Sequence, residues 1–369
     1  MEEKGLDALL VTGDYGADEN YQYLTSHRSH TRKRPTVMIL PKSHDPALIV
    51  NWTAKRRAIE SSWVKDIRVY EYEGLKSELI KEVLQDLGLS EAKIGAELND
   101  PFDAFRINMR YEEFKKLQRE MPKAEFLDAS DILWRLRMIK TKAEMECLRN
   151  AMEITDRAYD AWYSTIKAGM TEKEAMRILY NLFVEERTAY GAPLNEIPCL
   201  ILLGGRGDLP GRPGDRPLRR GEWVRIDGGA QYKGYCADFS RGGVVGKPSE
   251  KQKRSWEMAI EMTQKSLDAV KPGAKISDIV KAAIKTQRRL GFSTEFLEKY
   301  HMGHGIGLNI PEPPMVIITN DMPIEPGMVL TVEPFVFLGS PVVEQDFIVT
   351  ETGYELISTA RTDLHVIQG

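Results

Sequence analysis

The chain is poor in residues that mark several classes of protein. Its 369 residues include only three cysteines, Cys147, Cys199 and Cys236, too few for the disulfide framework of a small secreted protein. Acids and bases nearly balance at a net charge of −4, so no basic face for nucleic acid or a membrane surface is indicated. The longest apolar runs are too short to span a bilayer, and the first residues lack the apolar core of a signal peptide. We therefore expect a cytoplasmic protein with neither a nucleic-acid nor a membrane partner.

Length and patterning predict two domains, at residues 1–132 and 133–369. The first third alternates short strands rich in Val, Ile, Leu and Tyr with helices of three- and four-residue apolar spacing, which predicts an α/β domain. The predicted strands are Leu6–Thr12, Thr36–Pro41, Ala47–Trp52, Asp66–Tyr72 and Lys93–Leu98, and the predicted helices are Leu75–Leu87 and Phe105–Met121. No glycine-rich phosphate loop follows any of these strands, so nucleotide binding has no support.

Capping patterns predict where helices of the second domain begin. A Ser or Thr followed three residues later by Glu or Gln occurs at Thr141–Glu144, Thr171–Glu174 and Ser249–Gln252. The segment Lys167-Ala-Gly169 before one helix resembles Lys271-Pro-Gly273 before another, 104 residues later. The second domain is therefore predicted to contain a repeated structural unit.

A repeated pair of acids is the most informative feature of the second domain. Asp227 ends an apolar strand, and Asp238 lies eleven residues farther on; Glu333 and Glu344 repeat this spacing 106 residues later. Each strand opens after a turn glycine, so each pair is predicted to meet in a hairpin. Two facing hairpins would bring four carboxylates together. Since buried like charges repel and lose hydration, this arrangement requires cations, and we predict a two-metal site.

One of only six histidines completes the predicted ligand set. His304 lies in Gly303-His-Gly-Ile-Gly307, where the glycines allow close backbone approach and leave room around the imidazole ring. Four carboxylates and one imidazole suit two divalent ions such as Mn²⁺, Co²⁺, Fe²⁺ or Zn²⁺ rather than a thiolate-bound structural zinc. The predicted ligands are Asp227, Asp238, His304, Glu333 and Glu344.

These motifs closely resemble a known family. Asp227-x-Gly229-x4-Gly234-Tyr235-x2-Asp238, Gly303–Leu308 and Glu325–Glu333 are similar to the pita-bread metallopeptidases: methionine aminopeptidase, prolidase, aminopeptidase P and the non-metal relative creatinase. The N-terminal domain resembles the prolidase and aminopeptidase P branch. The resemblance implies an α/β N-terminal domain followed by an α+β pita-bread catalytic domain, a duplicated helix–helix–hairpin unit with pseudo-two-fold symmetry.

The resemblance also implies roles for the ligands. Asp227 would hold one metal ion, His304 and Glu333 the other, and Asp238 and Glu344 would bridge the two. Two ions that share a water lower its pKa, which supplies hydroxide for hydrolysis of an amide bond. Glu333 is then the candidate to carry a proton to the leaving nitrogen. The expected substrate is a short peptide or another small molecule, and in this branch the resemblance implies an Xaa-Pro peptide.

Three departures from the family pattern affect substrate handling. Pro311 stands where a second histidine follows the Gly-His-Gly-Ile-Gly segment, and the loop 204–216 lacks the upstream histidine. Val342 stands where prolidases carry an arginine. Two readings remain open. Either His301 or another residue replaces the missing imidazoles in a peptidase, or the site serves a non-peptide C–N hydrolase or lyase reaction. A metal-free binding module fits poorly with five retained ligand-type residues.

A basic segment in the first domain is a second candidate for substrate binding. His27–Arg34 carries several positive charges, a pattern also typical of a solvated loop. Because the resembling enzymes are commonly homodimers in which the N-terminal domain reaches toward the partner's site, Arg28 or His30 is predicted to meet a substrate carboxylate across a homodimer.

Overall fold

The chain forms two compact units, Met1–Arg137 and Met138–Gly369. A computed structural model describes residues 1–13, 19–28, 34–71, 75–98, 111–185, 199–203, 213–335 and 341–369. The domain boundary predicted after residue 132 falls within the helix Ser130–Met138. His30, residues 105–110 of a predicted helix and residues 204–212 of the glycine-rich loop lie outside the described residues.

The first unit is built on a six-stranded mixed sheet. Its strands are β1 (Ala8–Gly13), β2 (Thr36–Pro41), β3 (Ala47–Asn51), β4 (Asp66–Tyr70), β5 (Lys93–Ala96) and β6 (Glu125–Asp128). Their order across the sheet is β4-β3-β2-β1-β5-β6. The pairs β1–β2 and β2–β3 are antiparallel, whereas β3–β4, β1–β5 and β5–β6 are parallel. This architecture is the predicted α/β class.

Helices cover both faces of this sheet. They are α1 (Glu19–Thr25), α2 (Lys55–Ser61), α3 (Ser77–Asp86), α4 (Tyr111–Glu120) and α5 (Ser130–Met138). Successive residues of β1 point to opposite faces, so Ala8 and Leu10 enter one core while Leu9 and Val11 enter the other. Both faces are therefore apolar, which explains why β1 reads as a continuous hydrophobic run.

The second unit contains five helices and three sheets among its described residues. The helices are α6 (Lys142–Thr165), α7 (Glu172–Glu185), α8 (Glu250–Leu267), α9 (Ile276–Arg289) and α10 (Glu295–Lys299). The strands are β7 (Cys199–Leu203), β8 (Trp223–Gly228), β9 (Gln231–Tyr232), β10 (Tyr235–Cys236), β11 (Phe239–Val245), β12 (Val329–Val332), β13 (Gln345–Val349), β14 (Tyr354–Leu356) and β15 (His365–Ile367). They form the sheets β15-β11-β8-β7, β12-β13-β14 and β10-β9. No helix in the described part of the chain is long and apolar enough to cross a membrane.

The second unit is internally duplicated. The pair α6 and α7 precedes the hairpin of β8 and β11, and the pair α8 and α9 precedes the hairpin of β12 and β13. Isolated antiparallel bridges join Thr171 to Pro217 in the first half and Lys275 to Pro323 in the second. These bridges lie at the spacing of the sequence repeat. The unit has the predicted α+β helix–helix–hairpin duplication.

The predicted helix starts are confirmed. Thr141 accepts a hydrogen bond from the backbone of Glu144, whose carboxylate accepts one from the Thr141 backbone, and α6 begins there. Ser249 and Gln252 form the same reciprocal pair at α8. At α7, the hydroxyl of Thr171 accepts from the Glu174 backbone. Each pair satisfies backbone donors that have no partner within the first turn of the helix.

Candidate metal centre

The two hairpins place four carboxylates at their ends. Asp227 lies in β8 opposite Ser240 of β11, and Asp238 immediately precedes β11. Glu333 immediately follows β12, and Glu344 immediately precedes β13. In each hairpin one acid lies at the end of the first strand and the other at the start of the second. Antiparallel pairing places these two strand ends side by side, so the two acids are neighbours.

The four carboxylates and one imidazole lie close together. Single oxygens of Asp227, Asp238 and Glu344 lie within 4.8 Å of one another. Nε2 of His304 is 3.3 Å from Oδ2 of Asp238 and 4.0 Å from Oε1 of Glu333. Asp238, His304, Glu333 and Glu344 are buried, and Asp227 is partly exposed. The structure thus brings together all five side chains that the sequence nominated as ligands.

The orientation of His304 leaves one ring nitrogen facing the carboxylates. Nδ1 lies 3.0 Å from the carbonyl oxygen of Gly305, to which it donates in the tautomer that carries its proton there. A backbone acceptor at Nδ1 fixes the ring and leaves Nε2 free for a metal. The imidazole therefore presents the atom that a ligand role requires.

Two glycines allow the His304 segment to lie against neighbouring backbone. Gly303 has φ +147°, and a Cβ there would lie 2.0 Å from the carbonyl oxygen of Thr331 in β12. A Cβ at Gly305 would lie 2.4 Å from the carbonyl oxygen of Pro313. No side chain fits at either place, so the glycines serve close backbone approach, as predicted from the sequence.

Burial and mutual repulsion dominate the electrostatics of the cluster. Burial, together with the charges of Asp227 and Asp238, raises the pKa of Glu333 to about 8. Burial and repulsion from Asp238 and Glu333 hold the pKa of Glu344 well above its usual range. For His304, burial alone would lower the pKa, but the ion pair with Asp238 prevails and raises it to about 9. A cluster of acids that resists ionisation to this degree needs added positive charge.

A buried oxygen of Glu344 supports a metal ion as that charge. Thr331 Oγ1 donates to Oε1 of Glu344 at 2.5 Å, whereas Oε2 is buried without a hydrogen-bond partner among the described residues. Buried carboxylate oxygens are normally paired with donors or cations. Oxygen and imidazole donors at this spacing fit divalent ions, with Oε2 free to bind one.

The sequence interpretation missed a buried arginine at the site. Arg225 lies two residues before Asp227 in β8, so both side chains project from the same face of the strand. Its Nη2 donates to Oδ2 of Asp227 and is 3.9 Å from Oε2 of Glu333. Its Nε donates to Ser240 at 2.7 Å, and its guanidinium lies 4.9 Å from the centre of the Phe335 ring. The strand period of two was the signal that could have identified it.

The sequence interpretation also missed a fifth acid at the site, which is buried. Asp346 lies two residues after Glu344, opposite Thr331, and is completely buried. Its Oδ2 accepts a hydrogen bond from the backbone of Asp238 at 3.3 Å. Burial and the charge of Asp238 raise the pKa of Asp346 well above its usual range. Asp346 therefore adds to the negative charge that the centre must compensate.

The remaining predicted site residues have different settings. Nδ1 of His301 is 3.9 Å from Oε1 of Glu333, and 46% of the His301 side chain is exposed, so it lies at the open edge of the cluster. Its partial burial and the nearby His304 lower the pKa of His301. Arg28 is half-buried in the first unit, and His30 lies outside the described residues.

The segment with Pro311 is held by a buried ion pair rather than by an imidazole. Glu312 lies 3.6 Å from Nζ of Lys140 and accepts a hydrogen bond from the backbone of Asn309 at 3.0 Å. The backbones of Gly305 and Glu312 exchange two hydrogen bonds of 2.8 Å. These contacts fix the chain that follows His304, and they supply no second imidazole.

Comparison with known proteins identifies the family. The model of metallopeptidase family M24 matches residues 146–351, more than half of the chain. The chain belongs to this family. A model of the creatinase/prolidase N-terminal domain matches residues 1–139. The protein is a metal-dependent hydrolase of the prolidase-like branch, and its family implies divalent metal ions at the centre.

Individual relatives agree with this placement. The chain is 33% identical over 245 residues to an Xaa-Pro dipeptidase of Pyrococcus furiosus, covering 65% of this chain and 68% of that protein. The crystal structure of an X-Pro aminopeptidase from Thermotoga maritima has a TM-score of 0.85 at 26% identity, covering 99% of this chain and 97% of that one. An Xaa-Pro dipeptidase from Bacillus anthracis has a TM-score of 0.82 at 27% identity, covering 99% and 96%. The prediction of a pita-bread metallopeptidase is confirmed.

Proposed function

We propose that this M24 metallopeptidase hydrolyses the amide bond of short Xaa-Pro peptides with two divalent metal ions. The observation that carries the proposal is the convergence of four carboxylates and the Nε2 of His304 at the ends of two facing hairpins. The named activities of the relatives, an Xaa-Pro dipeptidase and an X-Pro aminopeptidase, supply the substrate class. None of these relatives favours a non-peptide C–N hydrolase or a lyase.

The ligand assignment is the one that the resemblance to the family implies. Asp227 would hold one ion, His304 and Glu333 the other, and Asp238 and Glu344 would lie between them. The distance of 3.3 Å between His304 and Asp238 is compatible with ligands that share an ion. Manganese is the ion that we propose first, since oxygen-rich sites with one imidazole accept it.

The chain's own residues would orient the substrate and move the proton. When bound, the ions would lower the pKa of a water molecule and polarise the scissile carbonyl. Glu333, which lies beside His301 at the edge of the cluster, would receive a proton and pass it to the leaving nitrogen. His301 is half-exposed, and burial and the nearby His304 lower its pKa, so it can bind the substrate at the mouth of the site.

Assembly and location belong to the same proposal. We expect a cytoplasmic homodimer in which Arg28 or His30 approaches the substrate in the partner's site. The basic character of the segment from His27 to Arg34 supports this expectation.

The proposal is tested by hydrolysis of Xaa-Pro dipeptides and Xaa-Pro-Xaa tripeptides by the full chain loaded with Mn²⁺ or Co²⁺. A Glu344→Ala sample is the matched blank, because it removes one of the oxygens placed between the two ions. We expect turnover by the loaded protein and a loss of at least about a hundredfold in the variant.

Other outcomes would count against the proposal. Metal-loaded protein that cleaves neither peptide class would overturn the Xaa-Pro assignment. Equal activity of wild type and Glu344→Ala would remove Glu344 from the ligand set.

A further inference from the structure

Arg225 stabilises Asp227, but this contact accounts for only some of the hydrogen-bond donors of its side chain. The guanidinium carries five N–H donors. Its described hydrogen bonds use Nε and Nη2, toward Ser240 and Asp227. Nη1 has no hydrogen-bond partner among the described residues, and 10% of the side chain is exposed. One edge of the fork therefore remains available to a ligand.

The side chain is held rigidly in place. The Ser240 hydroxyl that accepts from Nε donates in turn to the carbonyl of Ile226 at 3.1 Å. The Phe335 ring lies against the guanidinium at 4.9 Å, an arrangement in which a cation is attracted to the ring face. An arginine fixed from two sides loses little conformational freedom when it binds an anion, which favours binding.

The location of Arg225 matches the length of a dipeptide. Its Nη2 contacts Asp227 and is 3.9 Å from Glu333, so the guanidinium borders two proposed ligands. In an Xaa-Pro dipeptide the carboxylate carbon is three bonds from the scissile carbonyl carbon, about 3–4 Å away. A carbonyl held at the metals therefore places the carboxylate about one hydrogen-bond length from a cation at this border. A longer peptide has a neutral carbonyl at the same point.

We propose that Arg225 binds the C-terminal carboxylate of a dipeptide substrate and so makes the enzyme a dipeptidase rather than an aminopeptidase that accepts longer chains. This inference rests on the proposed Xaa-Pro activity and specifies its substrate. Arginine and carboxylate form charge-assisted hydrogen bonds with a planar fit. The excess of acids at the centre does not oppose this contact once divalent ions neutralise them. Nη1 is then the donor of Arg225 that has no hydrogen-bond partner among the described residues.

The test compares a substrate that has the carboxylate with one that lacks it. Metal-loaded full-length protein is assayed with alanyl-proline and with alanyl-proline amide, and the ratio of the two kcat/KM values is measured. The variants are Arg225→Met, which removes the charge, and Arg225→Lys, which keeps the charge but loses the fork. Arg216→Met is the matched control, since Arg216 pairs with Glu222 away from the centre. Arg28→Met tests the other arginine predicted to meet a carboxylate.

Wild type is expected to prefer the free acid, and Arg225→Met is expected to reduce that preference about 10- to 100-fold, mainly through KM for the dipeptide. Arg225→Lys should lose less, and Arg216→Met should keep the wild-type ratio. Metal content of each variant is measured by elemental analysis. Because Arg225 also donates to the proposed ligand Asp227, every variant is assayed at saturating metal, so that a lowered metal affinity of Arg225→Met does not affect the ratio. A structural role alone would lower both kcat/KM values together.

The outcomes separate this inference from the proposed function. If Arg225→Met cleaves both substrates with the wild-type ratio of kcat/KM values, the proposed peptidase activity stands and the role of Arg225 is overturned. A collapse of the ratio in Arg28→Met instead would assign the carboxylate to Arg28. If wild type cleaves neither substrate, the Xaa-Pro proposal fails. Calorimetry with L-proline and L-prolinamide then decides on Arg225, because equal or absent binding of the two by wild type would refute it.

Discussion

Thr331 and Arg225 occupy the same place in the two hairpins, two residues before Glu333 and Asp227 respectively. Each side chain donates a hydrogen bond to a proposed metal ligand: Thr331 to Glu344 and Arg225 to Asp227. A donor at this position fixes which carboxylate oxygen faces the centre, and such supporting contacts commonly change metal affinity 10- to 100-fold. The two donors differ in charge, since Arg225 is a cation and Thr331 is neutral.

Replacement of Thr331 by valine tests this support. The two side chains have nearly the same shape, but valine lacks the hydroxyl that holds Oε1 of Glu344 at 2.5 Å. We expect the affinity for Mn²⁺ to fall about 10- to 100-fold, measured by competition with a chelating dye. Thr350→Val is the control, because the Thr350 hydroxyl accepts only from the Gly353 backbone in a turn. Equal affinity of Thr331→Val and wild type would contradict the role.

The proposed ligands could be predicted from the sequence, but the residues that support them could not. Two pairs of acids at one spacing were visible because a repeat is unusual whatever the fold. Asp346 and Arg225 were not recognised, since a single charged residue in a strand reads as a solvated position until the neighbouring hairpin is known to bury it. These residues are buried because strands distant in the sequence pair with each other, and local sequence patterns do not reveal that pairing.

Helix α6 connects a local sequence signal to the centre. Its capping box uses one oxygen of Glu144 for the Thr141 backbone, and the other oxygen accepts from the Tyr235 hydroxyl at 3.1 Å. Tyr235 belongs to β10, three residues before Asp238. The residue that fixes the start of the helix therefore also positions the short hairpin between the first two acids.

Removal of the cap is expected to destabilise the second unit. Thr141→Ala leaves the Glu144 backbone N–H without its acceptor, which costs about 1 kcal/mol. For a unit of this size we expect a fall in Tm of roughly 2–4 °C, measured by calorimetry. Thr165→Ala is the matched control, since the exposed Thr165 hydroxyl donates only to the Ala161 carbonyl near the other end of the same helix. Similar losses in both variants would deny the cap a special contribution.

Elements were predictable where the chain carries its own start and stop signals. The strand Thr36–Pro41 was predicted with the observed bounds, and the capped helices began where expected. The short helices α1 and α2 were missed, because seven residues with few buried positions show little periodicity. Their helical form depends on packing against the sheet, through residues such as Tyr21 and Ala58.

On the scale of the whole molecule, the centre makes stability depend on pH. In the metal-free protein the folded-state pKa of Glu333 is about 8 and that of His304 about 9, both above the values expected in the unfolded chain. The folded state then binds more protons than the unfolded state between pH 7 and 9. The stability that these groups contribute is present at low pH and is lost as the pH rises through 8 and 9.

The Tm of the metal-free protein is therefore expected to fall between pH 7 and pH 9, and the gain in Tm on adding Mn²⁺ should grow over the same interval. Bound ions replace the protons, and a hundredfold excess over Kd adds about 2.7 kcal/mol. His365 does not interfere: burial and the charges of Arg361 and Arg241 lower its pKa to about 3, so its effect on stability is confined to lower pH. Differential scanning calorimetry with and without metal makes the measurement.

Glu333→Gln is the control for this dependence. Glutamine has similar volume and cannot ionise, so the metal-free variant should show a shallower fall in Tm than the metal-free wild type. A metal-free wild type whose Tm rises from pH 7 to pH 9 would contradict the raised pKa values and the proton balance drawn from them.

The duplicated hairpins also bear on the direction in which a peptide can lie. A centre with full two-fold symmetry would accept a peptide in either orientation, and half of the bound molecules would be reversed. The scaffold keeps the symmetry in its backbone, since bridges and acids repeat in both halves. Its side chains break that symmetry, with Arg225 in one half and His304 in the other. Under the proposed assignment, Arg225 binds the carboxylate end of the peptide, whereas His304 holds a metal ion. The two halves that form one centre therefore select a single chain direction of the bound substrate.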